Sequence, residues 1–483
     1  MRNILKFVLL LLCSACAIGP NYKKKQIYSD EKITNELNIN NIGEKSISAD
    51  WFRQFSDPYL NQLIEKSLKN SPNIIKAKEK LYQARHNLYI AQADLLPEFD
   101  FSSDYTKSAP AKVIEPMAKQ DYFQVGFDAS WEIDIWGGKR RLAESQMAML
   151  KSVGADFNNI KLMLISEIVA KYINWRLFQK LVEVTNRNIE NQTEIFMAIK
   201  DKYDAGLVDE LTLNQAESLL KSTKQKLPKY IINEKNMLNS LAVLIGILPS
   251  EIDNKNNVIL ENKFSFNTAD LYNLSAQNIR MRPDIFAAEQ NLIAQNALIG
   301  NKMSNLLPSL SLKTFLGFQN NTLSPIIGKD YNMYSNNAAS VLPILHWGKI
   351  VNDIKIQESA TREAFEVYKV SVLQGIVDIS NAIKSVEENI KNNILADENS
   401  LLYQNIADLS KQKYESGLIA FNDYLSAEQD KISAQAAKYQ AMSDVLVSIV
   451  SFYKAVGGGL SANYNVPDDR TVLKETVDEP CTN

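Results

Sequence analysis

Few residues in this chain combine the types and spacing that chemistry needs. Its 483 residues include two histidines, His86 and His346, which stand far apart in sequence. Neither has a metal-ligand or acid–base partner at a recognisable interval, and both read as packing residues. Gly137-Gly138-Lys139 lacks the GxxxxGK spacing of a phosphate loop and reads as a hinge between a strand and a helix. No nucleophile–base pair stands out. The expectation is no enzyme activity, no cofactor and no bound metal. The thiols say more. Cys481 is the only cysteine left beyond Cys16 once residues 1–15 are removed, so no internal disulfide framework can form. Cys16 is the poised one. Small residues, Ser14 and Ala15, precede it, and cleavage there leaves a terminal cysteine available for acylation.

The residues before Cys16 set that chemistry in a compartment. Arg2 and Lys6 give a positive start, and Phe7 to Leu12 is an unbroken apolar run. Residues 1–15 read as a secretory signal, too short to span a membrane as a helix. Ser14-Ala15-Cys16 resembles the lipobox of bacterial lipoproteins, with Cys13 where a leucine is usual; the alternative is a plain signal peptide with an incidental cysteine. By analogy with known lipoproteins, Ala17, a residue other than Asp, fits sorting to the outer membrane. Formal net charge is −3, which argues against nucleic acid as a partner. After residue 15 no apolar run approaches the roughly 20 residues of a spanning helix. Any membrane crossing must be made by strands.

The rest of the chain is one unit written twice. Tyr203, Gly206, Leu207, Ala216 and Glu217 recur 211 residues on as Tyr414, Gly417, Leu418, Ala427 and Glu428. The same shift carries Pro72 to Pro283, Leu95-Leu96-Pro97 to Leu306-Leu307-Pro308, and Trp136-Gly137 to Trp347-Gly348. No gap is needed. The expected organisation is a signal at 1–15, a lipidated N-terminal strap at 16–56, repeat 1 at 57–246, an equatorial linker at 247–267, repeat 2 at 268–457 and a tail at 458–483.

Each repeat opens with a capped helix: Asp57 suits the N-cap and Pro58 the first helical position, with Thr268 in the second copy. A second helix starts near Pro72 or Pro283 and runs to the Leu-Leu-Pro. Strands follow, as hairpins at about 98–135 and 309–346. In FQVGFDASWEIDI the odd positions Phe123, Val125, Phe127, Trp131 and Ile133 are apolar and the even ones mostly polar. That alternation predicts a strand over 123–135 with one face toward lipid. Its expected partner is 98–106; in repeat 2 the partners are 310–318 and 336–346, where Pro343 interrupts a poorer pattern. Next, no Gly or Pro occurs between Gly154 and Gly206. An apolar stripe from Phe157 to Tyr203 keeps a helix-packing period. Residues 139–205 would span about 100 Å of helix. Gly457 to Gly459 reads as the end of the last helix.

Two hairpins give four strands, too few to close a barrel, and an open sheet edge cannot face lipid. The chain must therefore oligomerise. WFRQFSDPYLNQLIEKSL, CAIGPNY, ASWEIDIWG, RMRPDIFAAEQNL, the Leu-Leu-Pro pair and FYKAVGGGL together resemble the TolC family of outer-membrane efflux proteins. The nearest resemblance is to the lipoprotein branch that serves resistance–nodulation–division pumps, and it covers about residues 16–460. It implies a mainly α fold with a small transmembrane β part: a homotrimer whose 12-stranded β-barrel, four strands per chain, continues as a long periplasmic α-helical barrel. It also implies a periplasmic adaptor and an inner-membrane pump as partners, and export of small molecules. The tips at Gly206, Leu207, Gly417 and Leu418 would dock the adaptor. Asp423 would line a periplasmic gate, where the family usually has a second acid at the position held here by Ser426. Two alternatives stay open: a type I protein-secretion channel on the same fold, and a structural envelope lipoprotein with no pore.

Overall fold

Pro58, Pro72 and Pro283 open helices of this chain, and Gly206, Gly246 and Gly417 follow helix ends. A computed structural model describes residues 17–24, 26–39, 48–109, 120–252 and 271–459. Among them the helices and strands run in chain order as α1 (Asp30–Leu37), α2 (Pro58–Asn70), α3 (Pro72–Ala93), β1 (Glu98–Ser108), β2 (Gln120–Glu132), α4 (Gly138–Asp204), α5 (Glu210–Ile245), α6 (Ala276–Arg280), α7 (Pro283–Ser304), β3 (Ser309–Asn320), β4 (Asn332–Val341), α8 (Lys349–Glu415) and α9 (Phe421–Ala455). The tandem repeat is visible in these bounds. α4 and α8 both have 67 residues and start 211 apart. Thr268, the expected second cap, lies outside the described residues.

The chain divides into two units, one of residues 1–25, 80–154 and 287–369, the other of 26–79, 155–286 and 370–483. The first holds the four strands. They form one antiparallel sheet in the order β1-β2-β3-β4, so the two hairpins are joined through β2 and β3. β1 and β4 are its edges. The register aligns Phe101, Phe127, Leu316 and Tyr334 in a row across all four strands. Each is 62–77% exposed, although an apolar row would bury itself in a water-soluble sheet. On the opposite face Gly126 and Gly317 are paired, and the Phe315 ring lies over both. A Cβ on either glycine would come within 2.7 Å of that ring.

The strand limits differ from the sequence expectation. The strand expected at 123–135 is Gln120–Glu132, so Ile133 falls just beyond it, though its N–H still donates to the Leu310 carbonyl at 2.9 Å. The strand expected at 336–346 is Asn332–Val341 and stops before Pro343. β3 begins at Ser309 opposite Val341, so among the described residues none beyond 341 has a partner strand.

The second unit packs around the middle of α4. Asp57 caps α2 by accepting from the Tyr59 and Leu60 amides at 3.0 and 3.1 Å, and its other oxygen accepts the Tyr172 hydroxyl at 2.7 Å. Tyr172 and Trp175 are fully buried, and the Arg176 guanidinium stacks 4.2 Å from the Trp175 ring. Burial raises the Tyr172 hydroxyl pKa well above the tyrosine range. Arg282 is the second knot. It pairs with Asp284 and Asp378 and donates to the Gly375 and Ala455 carbonyls, which ties α7, α8 and the end of α9 together.

Candidate functional site

The tips come first, because their geometry follows from two residues. Gly206 follows α4 with φ +70°, and Gly417 follows α8 with φ +71°. Glycine holds that conformation without a Cβ penalty. Gly206 N–H donates to Tyr203 O and Leu207 N–H to Lys202 O, both at 2.8 Å. Gly417 and Leu418 repeat the pattern on Tyr414 and Lys413 at 2.9 and 2.8 Å. These are Schellman motifs, in which the residue after the glycine usually folds back onto the helix. Here it does not. Leu207 is 73% and Leu418 72% exposed, and nothing lies within 4 Å of where a Cβ on either glycine would sit.

Behind the tips lies a small core. Ile199 of α4, Ala216 and Leu219 of α5, and Phe421, Tyr424 and Leu425 of α9 pack together. Tyr414 stacks on Tyr424 at 5.8 Å between centroids, and the Lys202 ammonium sits 5.4 Å from the Tyr414 ring. Burial and the neighbouring Glu428 raise the Tyr424 hydroxyl pKa. Glu428 in turn pairs with Lys431 at 2.6 Å, both side chains more than nine-tenths buried.

The two repeats part company at the start of the returning helices. Asp209 caps α5, accepting from the Thr212 amide at 2.9 Å and its hydroxyl at 2.6 Å. In repeat 2 the cap position is Ala420, which makes no side-chain cap, and the acid stands at Asp423 in the first turn of α9. Asp423 and Ser426 are both exposed, while Tyr424, Leu425, Ala427 and Glu428 face inward. The structure thus places the two expected gate residues together on one open face.

On the strands, Phe127 is 62% exposed and forms an edge-to-face pair with Phe101 at 5.5 Å. Phe123 stacks on Tyr105 at 4.6 Å. Phe123 and Val125 are half-buried. The Trp131 indole donates to the Leu95 carbonyl at 3.0 Å and the Trp136 indole to Pro308 at 2.8 Å. On the polar face Asp128 accepts the Ser102 hydroxyl.

Sequence reasoning missed the anchor of the N-terminal strap. The Arg141 guanidinium donates to the carbonyls of Ala17, Ile18 and Gly19 and to the Asn21 side chain, and Ile18 N–H donates to Trp136 O. Gly19 lies against Gly300 of α7, so close that a Cβ on it would be 2.4 Å from the Gly300 Cα. Cys16 itself lies outside the described residues. His86 packs edge-on against Tyr89. Among the described residues no three acidic, His or Cys side chains could hold a metal ion, and no helix is long and apolar enough to cross a membrane.

Known proteins carry the same pattern. The family model for outer membrane efflux proteins matches residues 63–247 and 274–458, two segments that start 211 residues apart. Nodulation protein T of Rhizobium leguminosarum bv. viciae is 27% identical over 461 residues, 94% of this chain and 93% of the relative. The cation efflux system protein CusC of Escherichia coli O157:H7 is 22% identical over 460 residues, 95% of this chain and 98% of the relative. The solved Campylobacter jejuni CmeC outer membrane channel is 27% identical with a TM-score of 0.82, covering 96% of this chain and 98% of that one. With both repeats matched, this mainly α chain with its small antiparallel sheet belongs to the outer membrane efflux protein family and is an outer-membrane transport protein, not an enzyme.

Proposed function

We propose that this chain is the outer-membrane channel of a tripartite efflux system. Three copies close a 12-stranded barrel, and small molecules pass outward from an inner-membrane pump through a periplasmic adaptor. The observation that carries this reading is the sheet: four strands, two open edges, and an exposed apolar row on one face. Lipid covers that row at no cost, and only further copies can satisfy the edges in lipid. Small cargo is favoured by the cation efflux that gives CusC its name. The adaptor docks on the tips, where the motif leaves Leu207 and Leu418 free for a partner. Asp423, with Ser426 behind it, lines the gate, and the lost cap at Ala420 frees that carboxylate to face a pore. Acylated Cys16 anchors in outer-membrane lipid. Arg141 supports this by holding residues 17–19 where β2 passes into α4.

Two measurements test the reading. Native mass in detergent is expected to give three chains, and planar bilayers are expected to show discrete channel conductance. A stable monomer with its strands intact, or a trimer without conductance, would sink it. Mass spectrometry of the mature N-terminus is expected to find acyl chains on Cys16.

A further inference from the structure

The N-terminal strap crosses the helices of the second repeat as a span fixed at both ends. At one end the Asn296 side chain donates to the Pro20 carbonyl at 2.9 Å. At the other Glu289, only 7% exposed, accepts from the Tyr22 hydroxyl at 3.2 Å and the Lys24 ammonium at 3.3 Å. The two pins are seven residues apart on α7 (296 − 289), about 10 Å. Leu292 lies buried between them, and the strap does not close onto it. A cavity of about 510 Å³ remains between the strap, α7 and α8, with Leu292 and Phe365 in its apolar lining and Lys23 and Arg362 in its charged lining. The site belongs to the second repeat alone. Moved back by 211, Glu289 and Phe365 fall on Lys78 and Gly154, so the first repeat has neither the strap's acceptor nor the aromatic ring.

Charge decides what such a cavity takes. Glu289 is already satisfied by Tyr22 and Lys24, and Glu366, the acid at the mouth, pairs with Lys369 at 3.3 Å. Lys23 and Arg362 are exposed, and among the described residues neither has an acidic partner; the Arg362 guanidinium donates to the Ser359 hydroxyl at 2.9 Å. Two uncompensated cations thus stand beside an aliphatic and aromatic floor, in a chain whose formal net charge is −3. A preformed, mostly apolar cavity of this size with a few polar groups suits a small ligand rather than a two-chain lipid. We propose that it binds a single-chain anionic amphiphile, a fatty carboxylate, with the head on Lys23 and Arg362 and the tail along Leu292 and Phe365. The planar guanidinium fork matches a carboxylate. A ligand seated there ties the strap to α8 as well as to α7, which neither pin does alone. The cavity is built within one copy and uses none of the tip, gate or strand residues, so its test is independent of the channel reading.

Photolabelling tests this directly. The full chain in phosphatidylcholine nanodiscs is irradiated with a decanoate that carries a diazirine at its tail, then digested and analysed by mass spectrometry. Label is expected on the peptides that hold Leu292 and Phe365. Excess decanoate should displace it, and decyltrimethylammonium, with the same tail and the opposite charge, should need about tenfold more. Lys23→Gln with Arg362→Gln should lower the label on those peptides about tenfold and leave label elsewhere in the chain unchanged. Glu366→Gln removes the acid at the mouth and should not lower it. Equal displacement by the two amphiphiles, full labelling in the double variant, or no label on either peptide would overturn the proposal.

Discussion

Asp209 and Asp423 place an acid at two different positions of the same helix start. In repeat 1 the acid is the cap; in repeat 2 it has moved three residues along, where the helix dipole still favours it. The Thr212 hydroxyl and amide hold the Asp209 carboxyl below the usual range. A lowered pKa means the cap contributes fully above the unfolded value, about 4, and fades as pH falls through the folded one. Hydrogen exchange at the Thr212 amide should show it: protection is lost on acidification, and is absent at neutral pH in Asp209→Ala. Asp423→Ala should instead leave the fold intact, raise single-channel conductance and weaken block by divalent cations; unchanged conductance and block would remove Asp423 from the gate. The buried Glu428–Lys431 pair belongs to repeat 2 alone, since Glu217 pairs with exposed Lys221. Lys431→Met strands a buried carboxylate and should cost about 3–5 kcal/mol, whereas adding Glu428→Met should recover most of it. Thermal unfolding of the three proteins decides this.

At the scale of elements, the two faces of β2 should respond differently. Phe127→Lys puts a charge on the lipid side, at a cost of about 2–4 kcal/mol near the bilayer midplane, and should reduce heat-stable trimer in outer-membrane fractions. Asp128→Lys should insert normally and shift ion selectivity. Equal loss from both would mean the faces are misassigned. Helices were more legible than strands here for a physical reason. Helix ends are local: Pro58, Pro72 and Pro283 start helices and Gly206, Gly246 and Gly417 stop them in left-handed turns. A strand ends where its partner does: β4 stops at Val341 because β3 begins at Ser309, and within 336–346 only Pro343 hints at that limit. The tips were legible because Tyr-x-x-Gly-Leu is written twice. The strap anchor was not, because Arg141 bonds mainly to backbone carbonyls more than 120 residues away, which leave no mark in the sequence.

For the whole molecule, each chain offers two nearly identical tips. Gly206→Arg with Gly417→Arg should abolish efflux in cells while trimers remain in the membrane. Leu207→Asp with Leu418→Asp should do the same without touching the left-handed glycines. Normal drug resistance in both double variants would remove the tips from docking. The strand order also dictates when the sheet can be built. Gly126 and Gly317 are adjacent in it yet 191 residues apart in the chain (317 − 126). Each hairpin is local and fast to form, but the central ladder requires closing a long loop, which slows folding. A chain threaded out N-terminus first must hold β2 with an open, half-apolar edge until the second repeat arrives, an aggregation hazard for as long as it lasts. The long helical hairpins, whose contacts are local, can form during that wait. Strand pairing between β2 and β3 would then be the late step of folding, and the seam between copies later still.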